Sequence, residues 1–343
     1  AIEPPPFQYD REHVVLLYDW TDEDPARVFA KLKKQSDYYN FNQRTLGTFI
    51  SDIRTRGLGV TLSDRLMWGD MRMSPTDLAD VSSYTYTYLM NGTAPNGNWT
   101  GIFNKGERVL LRFINGASMS YFDVRIPGLK MTVVAADGQY VHPVTVDEFR
   151  IAVAETFDVL VEPAGQDAYT IFAQSMDRTG YASGTLATRA GLKADIPGLD
   201  ARQLLTMADM GMGGHNTAAA AGNSGADAHA GHAMAGTNHS TQSHPFSEKG
   251  NPLVDSQGTA PTSRLDDPGV GLRDNGRRVL TYADLKSLFE DPDGREPDRT
   301  FELHLTGHME KFAWSFDGTK SSSADPIVLE YGERVRIVLV NDT

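Results

Sequence analysis

Short apolar runs at strand period dominate the chain, and helix-period runs are confined to one stretch near its start. Val14-Val15-Leu16-Leu17-Tyr18 is β-branched and apolar, the pattern of a buried strand. The period then changes. Asp24-Pro25 sets an N-cap residue before a proline at the first helical position, and Val28, Phe29 and Leu32 give the helix that follows one apolar face. Leu46, Phe49, Ile50 and Ile53 recur at i, i+3, i+4 and i+7 and stop at Gly57, which predicts a second helix. Ser74-Pro75-Thr76-Asp77 has the form of a capping box opening a third short helix. Together they read as a helical insertion over residues 22–82 of a β-rich chain.

From Tyr84 to Ser175 the pattern is strands punctuated by turns. Tyr84-Thr85-Tyr86-Thr87-Tyr88 alternates strictly. Runs from Arg108 to Ile114, Tyr121 to Ile126, Met131 to Ala135, Arg150 to Ala154, Val159 to Glu162 and Tyr169 to Ala173 follow at short spacing. Asn91-Gly92 and Asp137-Gly138 mark turns that need positive φ. Many short strands at this spacing predict an all-β, Greek-key β-sandwich. Residues 196–280 are rich in Ala, Gly, Ser, Asn, His and Met without apolar periodicity, at least from Gly213 to Thr262, and read as a flexible linker. Strand-like runs resume within 281–343, at Phe301 to Leu305, Phe312 to Phe316, Ile327 to Glu330 and Arg334 to Val340. The predicted organisation is a first domain over 1–195, a linker over 196–280 and the N-terminal part of a second β-domain over 281–343.

A repeat ties the two β-regions together. Asn91-Gly92-Thr93 and Asp317-Gly318-Thr319, Gly106-Glu107-Arg108-Val109 and Gly332-Glu333-Arg334-Val335, and Asn115 and Asn341 all match at one spacing of 226 residues. Three matches in one register point to a duplicated supersecondary unit. The first copy continues into further strands, whereas the second stops directly after Val335 to Val340, and the chain opens on Pro4-Pro5-Pro6 without an initiator Met. Both ends read as cuts, and the second domain as truncated.

Composition narrows the function. Asp plus Glu is 45 against 32 Lys plus Arg, a formal charge of −13, which argues against nucleic-acid or anionic-membrane partners. No apolar run is long enough to predict membrane insertion. The absence of cysteine removes disulfides, thiolate metal sites and cysteine nucleophiles from this chain.

The candidate chemistry is metal binding. The linker carries Met207, Met210, Met212, His215, His229, His232, Met234, His239 and His244. Thioether sulfur is a soft donor that suits Cu(I), and imidazole suits copper in both states, so spacings such as Met207-x-x-Met210-x-Met212-x-x-His215 let a flexible chain wrap one ion. The bland alternative is an inert spacer, since Ala/Gly linkers tolerate histidine. Met67, Met71 and Met73 beside Trp68 read as core packing. His304 and His308 read as bland strand residues with Gly307 ending the strand between them, and His13 and His142 get no role. Asp22/Asp24, Asp147/Glu148 and Glu290/Asp291/Asp293 read as turn carboxylates without acid–base function.

The wording of several segments is specific. Tyr18-Asp-Trp-Thr-Asp-Glu-Asp-Pro25, Lys34-Gln-Ser-Asp-Tyr-Tyr-Asn-Phe41, Met73-Ser-Pro-Thr-Asp-Leu-Ala-Asp80, Tyr86-Thr-Tyr-Leu-Met-Asn-Gly92, the run from Tyr121 to Gln139, Ile171 to Tyr181 and Leu303-His-Leu-Thr-Gly-His-Met309 closely resemble the CopA-type copper-resistance multicopper oxidases. The resemblance covers nearly the whole chain. It implies cupredoxin (plastocyanin-like) domains, three in the parent, a periplasmic setting, and oxidation of Cu(I) or phenols coupled to reduction of dioxygen. It further implies a type 1 copper held by Cys, two His and often Met, and a trinuclear cluster held by four His-x-His pairs, supplied by the first and third domains. This sequence has neither Cys nor any His-x-His. The expectation is therefore a middle fragment, inactive alone, whose partners are copper ions and the missing first and third domains of its parent. Two alternatives stand beside it: a non-catalytic copper-buffering protein acting through the Met/His linker, and a metal-free cupredoxin-like interaction module.

Overall fold

The computed structural model describes residues 5–210, 244–258 and 263–342. In chain order β1 (Arg11–Trp20) is followed by helices α1 (Pro25–Lys34), α2 (Leu46–Arg56) and α3 (Leu58–Asp70). Then come β2 (Thr87–Met90), β3 (Trp99–Ile102), β4 (Val109–Asn115), β5 (Phe122–Arg125), β6 (Met131–Ala136), β7 (Gln139–Val146), β8 (Glu148–Ile151), β9 (Thr156–Val161), β10 (Ala168–Ser175) and β11 (Tyr181–Ala187). The last strands are β12 (Arg299–His308), β13 (Ala313–Phe316) and β14 (Val335–Asn341). The chain divides into two compact units. The first is Ala1–Trp68, Met73–Leu204 and Arg264–Gly294; the second is Gly69–Arg72, Leu205–Ser263 and Arg295–Thr343.

The first unit is an all-β, cupredoxin-like sandwich. One sheet runs β2-β1-β4-β9-β6-β7 and the other β3-β11-β10-β5-β8. Strand alternation builds the core: Val109, Leu111 and Phe113 of β4 face the opposite sheet, while Leu110 packs outward with Val134 and Leu160. Phe149 crosses from the second sheet to meet Phe113 and Phe157 edge-on, at 5.2 and 5.3 Å between ring centres. Each such fully buried side chain stabilises the sandwich by about 1.5–3 kcal/mol. Asn91-Gly92 and Asp137-Gly138 take positive φ at both positions, the backbone that tight hairpins demand.

Two of the predicted helices form where their caps are. Asp24 accepts the Ala26 N–H at 2.7 Å, and Thr45 and Thr48 cap α2 reciprocally until Gly57, at φ 85°, ends it. The third prediction is corrected. Residues 74–77 form a single turn, with Ser74 C=O accepting the Asp77 N–H at 3.0 Å, because no apolar period follows to bury a helix there. The actual α3 lies upstream and buries only Thr61 and Trp68, leaving Leu58, Leu62 and Leu66 exposed, so it carries no apolar stripe to read in the sequence.

Glu148, read above as a turn carboxylate, is a fully buried strand residue. It accepts from Arg125 at 3.2 Å and from Arg277 at 2.6 Å, and Asp200 takes part in the same cluster, with Arg125 at 3.1 Å. Nearby, Asp123 binds Arg150 and Arg178, whose guanidiniums also donate to the carbonyls of Val270 and Gly271. These ion pairs fix residues 264–280, part of the stretch read as a linker, onto the sandwich.

Burial, followed by the negative neighbours Asp80 and Asp37, pushes the Asp77 carboxyl up to about 7. A raised carboxylate pKa favours the protonated folded form, so its contribution to stability is fully present below the unfolded value near 3.9 and is lost as pH rises towards 7. Asp77→Asn is expected to remove about 1–2 kcal/mol of that pH dependence, allowing for partial exposure. Urea midpoints at pH 4 and pH 8 check this; unchanged slopes between the two would refute it.

The second unit carries the sheet β13-β12-β14. Gly307 does not end β12, since it pairs with Trp314 and the strand continues to His308. The expected strand Ile327 to Glu330 forms no ladder; its Val328 carbonyl instead accepts from Arg299 at 3.0 Å.

Candidate functional site

The site is built on the repeated unit. In the first copy β1 runs parallel to β4, from Arg11 opposite Val109 to Leu17 opposite Asn115. In the second β12 runs parallel to β14, from Arg299 opposite Val335 to Leu305 opposite Asn341. The turn Asn91-Gly92 is clamped to Leu16, whose N–H donates to Asn91 Oδ1 at 2.7 Å. Its counterpart Asp317-Gly318 is clamped to His304, whose N–H donates to Asp317 Oδ1 at 2.9 Å. Arg11 forks onto Glu107 as Arg299 forks onto Glu333, and these guanidiniums hold both carboxyls down near about 2.

This correspondence makes His304 the counterpart of Leu16. Asp342 is likewise the counterpart of Gly116: the Gly116 N–H donates to Leu17 C=O at 2.8 Å, and the Asp342 N–H donates to Leu305 C=O at 3.0 Å. One framework therefore carries an apolar residue and a glycine in its first copy, and a histidine and an aspartate in its second. His304 Nδ1 meets Asp342 Oδ2 at 2.6 Å, and both residues are buried.

Two residues from the end of the Met/His stretch complete the cluster. His244 Nδ1 lies 3.0 Å from Glu248 Oε2 and 3.5 Å from Asp342 Oδ2, and the His244 and His304 rings stack edge-on at 5.2 Å. One donor atom from each of His244, Glu248, His304 and Asp342 falls within 4.8 Å of all the others. Neighbouring protein groups hold these side chains in place. His244 Nε2 reaches the Gly258 carbonyl at 3.1 Å, and His304 Nε2 reaches Glu302 at 3.3 Å. Asp342 Oδ1 accepts the Gly258 N–H at 2.9 Å, and Glu248 Oε2 accepts from Gln257 at 3.0 Å. Glu248 Oε1 is buried without a hydrogen-bond partner, 3.9 Å from His304 Nδ1. Burial disfavours the charged His304 ring, but its bonds to Asp342 and Glu302 outweigh this and raise its pKa.

Of the linker residues singled out from sequence, His244 alone joins this cluster among the described residues. Met207 and Met210 lie half-buried on a turn closed by Asp209 N–H donating to Thr206 C=O at 2.9 Å. Met212, His215, His229, His232, Met234 and His239 lie outside the described residues. Sequence reading missed Glu248 and Asp342 and set His304 aside. The 226-residue repeat, extended by one position, exposes the exchange of Gly116 for Asp342, whereas Leu16 and His304 lie 288 residues apart and correspond only through the strand pairing.

The multicopper oxidase family model matches residues 11–191, just over half of the chain. Copper resistance protein A of Escherichia coli is 64% identical over 390 aligned residues, which take in 100% of this chain and 62% of that protein. Its homolog in Pseudomonas syringae pv. tomato is 65% identical over 359 residues, covering 100% of this chain and 61% of the relative. The chain thus spans a little over three-fifths of the length of these relatives. Among solved structures, Fet3p, a multicopper oxidase that functions in iron import, superposes with a TM-score of 0.45 at 14% identity, covering 88% of this chain and 37% of that one. A family model over the sandwich and 64% identity to a relative across the whole chain lead to one assignment: the chain belongs to the multicopper oxidase family.

Proposed function

We propose that this chain is a segment of a periplasmic copper-resistance multicopper oxidase. The whole protein oxidises Cu(I) or phenols and passes the electrons to dioxygen, forming water. The observation that carries this reading is the 64% identity to copper resistance protein A along the full length of the chain. In it, residues 1–195 are the second cupredoxin domain and the start of the third lies within 281–343. A periplasmic setting agrees with the absence, among the described residues, of any helix long and apolar enough to cross a membrane.

The oxidase coppers do not fit the donors present here. A type 1 site needs a thiolate and the trinuclear cluster needs paired histidines, and the 343 residues contain no Cys and no His-x-His. No redox step is therefore assigned to this chain, and it is expected to be inactive by itself. Its own contribution is to hold copper, through Met207, Met210, Met212, His215, His229, His232, Met234, His239 and His244. Oxygen-electrode assays with Cu(I) and with a methoxyphenol test the reading. The copper-loaded full-length protein should consume dioxygen and the 343-residue chain should not; turnover by the chain alone would overturn it. The second reading, copper buffering without oxidation, is favoured by the Met/His spacing and predicts Cu(I) binding with no dioxygen uptake even by the full-length protein.

A further inference from the structure

We propose that His244, Glu248, His304 and Asp342 form a binding site for a divalent late-transition-metal ion, with Cu(II) the preferred ion. The site is independent of the oxidase reading and of the methionines. Four features support it.

The first is charge. Glu248 and Asp342 are fully buried, and among the described residues neither pairs with a Lys or Arg. Among these residues, the charge partners within reach are the His244 and His304 rings alone, and a divalent cation bound between them would neutralise both carboxylates at once. The second is orientation. The Gly258 carbonyl can only accept, so His244 Nε2 carries a proton there and Nδ1 is the nitrogen that faces the two carboxylates. Glu302 takes the same place at His304 Nε2, which leaves Nδ1 on the cluster side, where it bonds Asp342 at 2.6 Å until an ion takes its place. A carboxylate or carbonyl on the outer nitrogen is the arrangement that orients metal-ligating histidines. The third is Glu248 Oε1, a buried acceptor without a partner that faces the cluster. Such an atom costs roughly 1–3 kcal/mol unless something binds it.

The fourth feature separates ligand binding from fold maintenance. In the first copy of the repeat the same backbone is satisfied by Leu16 and Gly116, with ladder and turn intact. The framework does not need a His–Asp pair, so that pair in the second copy calls for another explanation. Metal–ligand bonds of about 2.0 Å in the square-planar set that Cu(II) favours put neighbouring ligand atoms about 2.8 Å apart and opposite ones about 4 Å apart. The cluster spans 2.6 to 4.8 Å, a range that contains both separations. Two imidazoles and two carboxylates are borderline-to-hard donors, which suit divalent ions better than Cu(I), and Cu(II) heads the affinity order for such a set. The ligands come from three chain segments, so a bound ion also staples the end of the Met/His stretch to β12 and to the residue after β14.

The test uses the full 343-residue chain with Met207, Met210, Met212, His215, His229, His232, Met234 and His239 replaced by Ser, which leaves His244 in place. Titration with CuSO4 against a competing chelator, read by electron paramagnetic resonance, should give one Cu(II) per chain with nitrogen hyperfine structure. His304→Leu with Asp342→Gly, which restores the pair of the first copy, should keep the circular dichroism spectrum and weaken Cu(II) binding by about a hundredfold. Glu248→Gln alone should weaken it by at least about tenfold, which keeps the test decisive if the double variant does not fold. No Cu(II) bound by the Ser-substituted chain, affinity unchanged in the variants, or Cu(I) bound more tightly than Cu(II) under reducing conditions would each overturn the proposal.

Discussion

Glu148→Ala is expected to destabilise the first unit by about 3 kcal/mol, the lower end of the range for breaking a buried ion pair. The substitution strips the fully buried counter-charge from Arg125 and Arg277 and removes the acceptor for Asn275 at 2.9 Å. Asp200 still contacts both guanidiniums, which keeps the loss from being larger. For a unit of this size that loss corresponds to a fall in Tm of about 6–12 °C. The effect should concentrate on one segment. The Leu280 N–H donates to the Glu148 carbonyl at 2.9 Å, and Arg277 is the charged anchor of residues 264–294. Limited proteolysis of the variant should therefore cut within 264–294 before the sandwich opens. A melting curve superimposable on that of the unsubstituted chain, with the segment still protected, would show that the ion cluster is dispensable.

Lysine at both Ile337 and Leu339 is expected to convert the chain from a self-associating species to a monomer. The repeat supplies the reason. Strand β4 lies between β1 and β9 and buries Val109, Leu110, Leu111 and Phe113 completely. Its counterpart β14 pairs with β12 on one side only among the described residues, and leaves Ile337 50% and Leu339 67% exposed. Val328 and Leu329, also exposed, extend the apolar surface. An open strand edge with apolar side chains templates further strands, and charged residues on the edge prevent this. Sedimentation velocity should show concentration-dependent oligomers of the unsubstituted chain in the range of about 10–100 µM and a single monomer boundary for the double variant. A monodisperse unsubstituted chain at the same concentrations would contradict the argument.

Local signals were legible in the sequence wherever a structural demand falls on neighbouring residues. Asn91-Gly92 and Asp137-Gly138 lie at positive φ because few other residue types adopt that backbone at low cost. Asp24-Pro25 starts a helix because its side chain and ring meet the needs of a first turn, and Gly57 ends one at positive φ. The legible features end where the stabilising partner is remote. The run Ile327 to Glu330 has strand composition but no neighbouring strand to bond. Residues 264–280 have linker composition but are held by Glu148, Asp200, Arg150 and Arg178, far away along the chain.

The cluster of His244, Glu248, His304 and Asp342 marks the same division. The sequence by itself determined the all-β class, the duplicated strand–turn unit, the absence of thiolate and paired-histidine ligands, and the concentration of Met and His after residue 206. Each is a matter of composition or of spacing over a few residues. Only the tertiary structure decided that His304 matters. Its partners His244, Glu248 and Asp342 are 60, 56 and 38 residues distant, and the parallel pairing of β12 with β14 brings Asp342 to its side. A strand's own period places one face in register with its neighbour, but it does not name the neighbour. Which side chains share a buried volume is settled by the packing of the whole unit.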